Sequence, residues 1–270
     1  AFMNFKFVKK YFKNINIYIL AVLFLLGFSL LYFLYFRARN QADVYVGLSV
    51  TRGSNIPINA SYNWIPYWLA DAISEGDQEI SPLGGLNAQV LDKESYESSF
   101  YGKNVYLLLK VNAIRDRSGI YLFKNKPLSV GAIVDLKLTK AQIQGLVIYV
   151  GSQKPKYEYK KLRVGLSGLN AEWWIGETIK TGSIIRNSKG EEIAKVISIK
   201  ILPASGSLIT ADRNKRDIEV TLDVLTKKID DNYFFAETQK VKVDENLFLP
   251  LKVGSINFPI TSVSEINESK

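Results

Sequence analysis

The chain repeats itself, and a repeat of about 100 residues dictates a fold built twice over. Tyr67-Trp68-Leu69-Ala70-Asp71-Ala72-Ile73-Ser74-Glu75-Gly76 recurs as Trp173-Trp174-Ile175-Gly176-Glu177-Thr178-Ile179-Lys180-Thr181-Gly182. Gly84, Ala88 and Val90 recur at the same offset as Gly190, Ala194 and Val196. Val46–Ser49 returns as Val164–Ser167, Asn104–Val111 as Asp217–Val224, and Leu128–Val130 as Val241–Val243. The first copy carries the longer insert around Thr51–Asn63, the second the longer loop around Ala204–Arg216. The spacing predicts a first β domain over 42–151, a polar linker over 152–160 and a second β domain over 161–265.

Inside each copy the apolar residues follow a period of two, the strand period. Lys195–Leu202 is β-branched and alternating until Pro203 stops it, and Asp217–Val224 alternates before the turn-prone Asp230-Asp231-Asn232. One short helical signal interrupts each copy. It pairs Trp68 with Ile73 or Trp174 with Ile179, carries Asp71 or Glu177 near its start, and is expected to end at Gly76 or Gly182. The fold class is therefore mainly β: two tandem small barrels or sandwiches, each with one short helix, the barrel being preferred because it hides strand edges.

Ahead of the repeat stands Asn16–Phe36, an uncharged and almost wholly apolar run. Roughly 20 such residues suffice to cross about 30 Å of hydrocarbon, so residues 15–37 read as a transmembrane signal anchor in contact with membrane lipid. Lys6, Lys9, Lys10 and Lys13 precede the run, with Arg37 and Arg39 after it. The excess before it assigns residues 1–14 to a cytoplasmic tail and the β domains to the far side of a bacterial cytoplasmic membrane.

Composition narrows the chemistry. The chain of 270 residues has no Cys and no His. That excludes disulfides, thiol nucleophiles, cysteine-ligated metal centres and imidazole acid–base catalysis. The net charge is +9, but four of those charges are the N-terminal lysines and no dense basic stripe follows, so nucleic acid is not an expected partner. Of the carboxylates, Asp71 and Glu177 could form a pair serving a shared site, or simply favour the positive end of a short helix. Asp230-Asp231 could hold a hard cation or only make a turn. Gly84-Gly85 lacks the Lys-Ser/Thr of a phosphate loop. No catalytic residue, cofactor or metal is assigned. All four Trp (64, 68, 173 and 174) lie at or just before the short helices. Tyr67, Trp68, Trp173 and Trp174 are the candidate partner-binding residues if exposed, and barrel plugs if buried.

These motifs carry a resemblance. A signal anchor, then W-h-x-x-x-I-x-x-G, then G-x-x-x-A-x-V, then a segment like Tyr121–Val134 resembles a family of bacterial single-pass envelope proteins catalogued only as a domain of unknown function, here in two tandem copies. The first copy keeps Val130-Gly131 and Gln144-Gly145, where the second has Val243-Asp244 and Asn257-Phe258. The resemblance implies no activity. The expected role is a non-enzymatic structural or accessory subunit of an envelope or membrane protein complex, with other envelope proteins as partners and a homo-oligomer compatible with it. A periplasmic adaptor of an export system and a cell-wall glycan binder or hydrolase are the alternatives.

Overall fold

The computed structural model describes residues 17–39, 41–51, 64–99, 102–205, 214–251 and 254–266. The apolar run folds as helix α1, Ile17–Arg39, 23 residues long. Its side chains are described from Tyr18 to Tyr32 and all are exposed. The expected membrane anchor is nevertheless overturned: among the described residues, no helix is long and apolar enough to cross a membrane. The lipid contact through residues 15–37, the inner-membrane location and the orientation drawn from it fall with the anchor. The tail over 1–14 lies outside the described residues.

After α1 the chain is almost entirely β. The first unit comprises β1 (Gln41–Thr51), β2 (Ile65–Pro66), helix α2 (Tyr67–Ala72), β3 (Gln78–Ile80), β4 (Leu86–Ser99), β5 (Gly102–Arg115), β6 (Tyr121–Phe123), β7 (Lys126–Leu128), β8 (Ile133–Lys137) and β9 (Gln142–Gly151). Its sheet runs β3-β4-β5-β1-β9-β8, with the β6–β7 hairpin continuing from β5. The second unit comprises β10 (Glu158–Glu172), helix α3 (Trp173–Thr178), β11 (Ile184–Arg186), β12 (Glu192–Pro203), β13 (Lys215–Ile229), β14 (Asn232–Phe235), β15 (Gln239–Lys240), β16 (Asn246–Leu251) and β17 (Gly254–Glu265). Its order, β11-β12-β13-β10-β17-β16, is the first order repeated strand for strand. Both sheets curl around their own cores. One core centres on Val46, Leu48, Leu109 and Leu136, the other on Val164, Leu166, Leu222 and Leu249.

The correspondence extends to single hydrogen bonds. The Gly76 N–H donates to the Val90 carbonyl at 2.8 Å, and Gly182 to Val196 at 2.8 Å. Both glycines sit at positive φ, +86° and +84°, a region costly for a residue with a Cβ. Gly131 donates to Val147 and Asp244 to Ile260, again in left-handed backbone. The place where the second copy departs most from the first, Phe258 for Gly145, is a compensated exchange. In β1–β9, Val50 stands opposite Gly145. In the second unit the small residue changes sides: a Cβ on Gly168 would lie 2.4 Å from the Phe258 ring. The small residue thus stands on the other strand, and over Gly145 the space is taken by Leu48, whose side chain lies 2.4 Å from where a Cβ would stand.

Two details of the short helices differ from expectation. α2 and α3 end at Ala72 and Thr178, where Ile73 and Ile179 turn extended, so Gly76 and Gly182 belong to the following turns and not to helix caps. Neither helix has an acid in its first turn. Asp71 lies near the C-terminal end of α2, where the positive helix end cannot be its reason, and it pairs with Lys103 at 3.0 Å.

The first sheet is closed by side chains where its end strands meet. Glu79 of β3, 5% exposed, accepts from the backbone N–H of Lys137 on β8 at 3.2 Å and pairs with Lys124 at 2.5 Å. The register places Ile185 and Pro250 at the corresponding positions of the second unit. Proline has no N–H to give, so this hydrogen bond has no counterpart in the second unit. Two outcomes follow. Glu79→Ala should cost about 1 kcal/mol in urea denaturation, since the part-buried Lys137 N–H loses its acceptor while Lys124 keeps the Asp135 carbonyl. Gly168→Val should destabilise by about 1–3 kcal/mol and Phe258→Gly by about 3–5 kcal/mol, and the double variant should lose less than the sum of the two.

Candidate functional site

The outer face of β4 and β5 is not left to solvent; the second unit packs on it. Asp92, Glu94 and Tyr96 of β4 meet the β11–β12 turn and the β14–β15 turn of the second unit. The Ser95 N–H donates to Ser188 Oγ at 3.2 Å, and Lys189 pairs with Asp92 and, at 3.7 Å, with Glu75. The Tyr106 hydroxyl shares a hydrogen bond with Thr238 at 3.2 Å. Tyr96 lies 6.2 Å from the Tyr106 ring, centroid to centroid, and packs against the second core. Between these contacts remains a cavity of about 450 Å³, lined from both units and from the end of the linker by Tyr159.

At its floor, Lys227 of β13 pairs with Glu237, the side chains 7% and 10% exposed. The ammonium also lies 3.3 Å from the centroid of the Tyr157 ring, a cation–π contact whose cation is buried and whose ring stays partly exposed. Burial raises the Glu237 carboxyl above its ordinary pKa, and the neighbouring Glu94 adds to the rise, while Lys227 opposes it. Burial likewise raises the Tyr96 hydroxyl, which donates to Glu94, and pushes the Tyr157 hydroxyl up to about 12. Across the cavity burial would raise Asp92 too, but Lys189 outweighs it and holds the carboxyl below its usual range.

None of these residues was singled out from the sequence. Two signals were present. Lys227 occupies the register position of Ile114, and the Lys124-Asn125 turn of the first copy becomes Ala236-Glu237-Thr238 in the second, one residue longer. A lysine replacing a core-type residue and an inserted acid are partners whose proximity appears only after folding.

The residues that were singled out lie elsewhere. Trp68 is 71% exposed, Trp173 44% and Trp174 40%, so these rings do not plug the barrels; Ala70 with Ile73, and Gly176 with Ile179, take the inward positions. Tyr67 is half-buried: its hydroxyl donates to Glu97, Lys103 lies 5.4 Å from its ring, and burial with Glu97 pushes its pKa up to about 12. Asp71 and Glu177 sit on separate helices, each exposed. Asp230 and Asp231 form the two-residue tip of the β13–β14 hairpin, and no group of three metal-ligating side chains occurs among the described residues. No family model, curated protein or solved structure matches the chain.

The sign of the Glu237 shift makes a prediction. A carboxyl raised on folding contributes stability that is complete below its unfolded value, near 4.3, and is lost as pH rises through the folded value. Glu237→Gln has no such loss. Melting temperatures of the two proteins measured from pH 4 to 8 should therefore diverge upward in pH, the parent falling relative to the variant.

Proposed function

We propose that the chain acts by binding, as a structural or accessory subunit that offers its two β units to a partner protein. The observation that supports this is the pairing of exposed aromatics at equivalent places: Trp68 and Trp174 occupy the same position of α2 and α3, and both rings face solvent. Large amphipathic rings held on a short, packed helix lose little entropy on contact and are frequent anchors of protein interfaces. The titratable groups favour the same reading, because those at the cavity answer one another across the seam.

A glycan hydrolase is the reading that the Glu94–Glu237 pair would favour, with one carboxyl raised by burial. Against it, Glu94 is a close neighbour of Glu237 and already accepts from the Tyr96 hydroxyl, whereas glycoside cleavage needs two free carboxyls about 5–9 Å apart around the bond. An export-system adaptor needs long helices for its hairpin, and among the described residues α2 and α3 are the only helices after α1, six residues each.

The experiment is comparative capture with folded full-length protein. Trp68→Ala/Trp173→Ala/Trp174→Ala should keep the parent's circular dichroism and lose a protein that the parent retains. Asp71→Asn/Glu177→Asn should retain it. If the triple variant holds everything the parent holds, the binding role of these rings is refuted.

A further inference from the structure

Glu94, Lys227 and Glu237 have no equivalents in the other copy. The register sets Lys200 at the place of Glu94, Ile114 at that of Lys227, and the shorter Lys124-Asn125 turn at that of Glu237. A unit of this fold is therefore built without each of them, and what the three share is the seam. There they bring two carboxylates against one ammonium. Lys227 and Glu237 belong to the second unit, their side chains 7% and 10% exposed, and Glu94 reaches them from β4 of the first. The Tyr96 hydroxyl donates to Glu94, which eases its charge without neutralising it.

The opposite end of the seam has the same proportion in a different setting. Lys189 faces Asp92 and Glu75, again two carboxylates to one ammonium, but their side chains are 31% and 53% exposed. Water carries the surplus negative charge at that end, and Lys189 holds Asp92 ionised. At the inner end the surplus is enclosed. The hydroxyls of Tyr96, Tyr106, Tyr157 and Tyr159 also face Glu237, and none brings a positive charge. Across the cavity Lys189 faces Glu94 too, but Asp92 and Glu75 already share it, and Glu191 is engaged by Asn187. An enclosed charge without a partner is relieved by taking up a proton or by moving out into water.

Little else opposes such a movement. The two cores are separate, and among the described residues Tyr96 is the one apolar side chain of the first unit packed against the second core. The bonds from Ser95 to Ser188 and between Tyr106 and Thr238 are polar, and the cavity of about 450 Å³ already divides the facing surfaces. The linker between β9 and β10, residues 152–157, is exposed apart from Pro155. We propose that the seam is a proton-operated hinge: one proton held between Glu94 and Glu237 keeps the two units closed, and its loss lets them part along the cavity. Glu237 holds a proton more tightly in the closed form, because opening withdraws Glu94 and admits water. Opening therefore grows as pH rises above the ordinary carboxyl range, and it levels off once Glu237 ionises in the closed form as well. Trp68 and Trp174 stand on different units, so the hinge also sets the distance between them.

The test is the distance between the units in folded full-length protein, kept in a mild detergent that covers the exposed apolar side chains of α1. The chain has no cysteine, so spin labels can be placed at will. Lys140→Cys in the first unit and Asp231→Cys in the second occupy exposed turns, and Arg117→Cys/Lys140→Cys forms a pair inside one unit. From pH 4 to 8, pulsed electron paramagnetic resonance should show a longer distance between the units gaining population over a shorter one. The distance inside the first unit should stay fixed. Glu237→Gln and Glu94→Gln each leave one carboxylate for one ammonium, so each should keep the short distance throughout. Glu177→Gln, on an exposed helix position, should respond as the parent does. The hinge is refuted if the parent's distance does not change with pH, if either seam variant keeps the response, or if Glu177→Gln abolishes it. It is equally refuted if the pair inside one unit lengthens too, which marks unfolding instead of opening. Should Glu237→Gln fail to fold, Glu94→Gln decides alone.

Discussion

Each unit is built around a central strand paired along both edges. In the first unit this is β1, bonded to β5 on one side and β9 on the other, with Val44, Val46, Leu48 and Val50 fully buried. In the second it is β10, between β13 and β17, with Leu162, Val164 and Leu166 in the same role. A flat sheet could not wrap these residues. A bulge just after Gly47 against β9, repeated after Gly165 against β17, bends the ladder at the same place in both units and sharpens its twist. The curl sets where the end strands meet, where the short helix lies, and which outer face remains for a neighbour.

That architecture could be read from the sequence because it rests on local alternation and on repetition. Alternating β-branched residues announce strands, and the matched offsets tie the two sets of strands to one topology. Lys195–Leu202, stopped by Pro203, falls within β12, and the Val46–Ser49 and Val164–Ser167 matches fall on the central strands. What failed had other causes. The helix ends were assigned to Gly76 and Gly182 because a terminal glycine is a common helix stop, whereas these glycines serve the turn after it. The Trp rings carry enough apolar area to be buried, but a helix of six residues can turn only a narrow face inward, and the small Ala70 and Gly176 take it.

The seam was invisible for a different reason. Lys227 and Glu237 come from one hairpin of the second unit and Glu94 and Tyr96 from β4 of the first, far away in the chain, and no spacing connects the two pairs. Their rule is that every buried charge needs a partner. Glu237 has Lys227, Lys227 also has the Tyr157 ring, and Glu94 has the Tyr96 hydroxyl. A network of this kind ties the relative placement of two units to electrostatics, while each unit's own interior stays apolar. Glu79 shows the exception, a carboxylate used to join sheet ends, and the second unit has Ile185 and Pro250 at the equivalent positions.

The exchange at Val50–Gly145 and Gly168–Phe258 bears on how two such copies remain distinct. Neighbouring repeats in one gene are prone to recombine and homogenise. Crossing β1 of one copy with the last strands of the other would set Val50 against Phe258, an overfilled site, or Gly168 against Gly145, an empty one. Either hybrid is penalised before any function is tested. Packing complementarity thus acts as a barrier to sequence exchange, and it leaves each copy free to keep the surface residues that the other lacks.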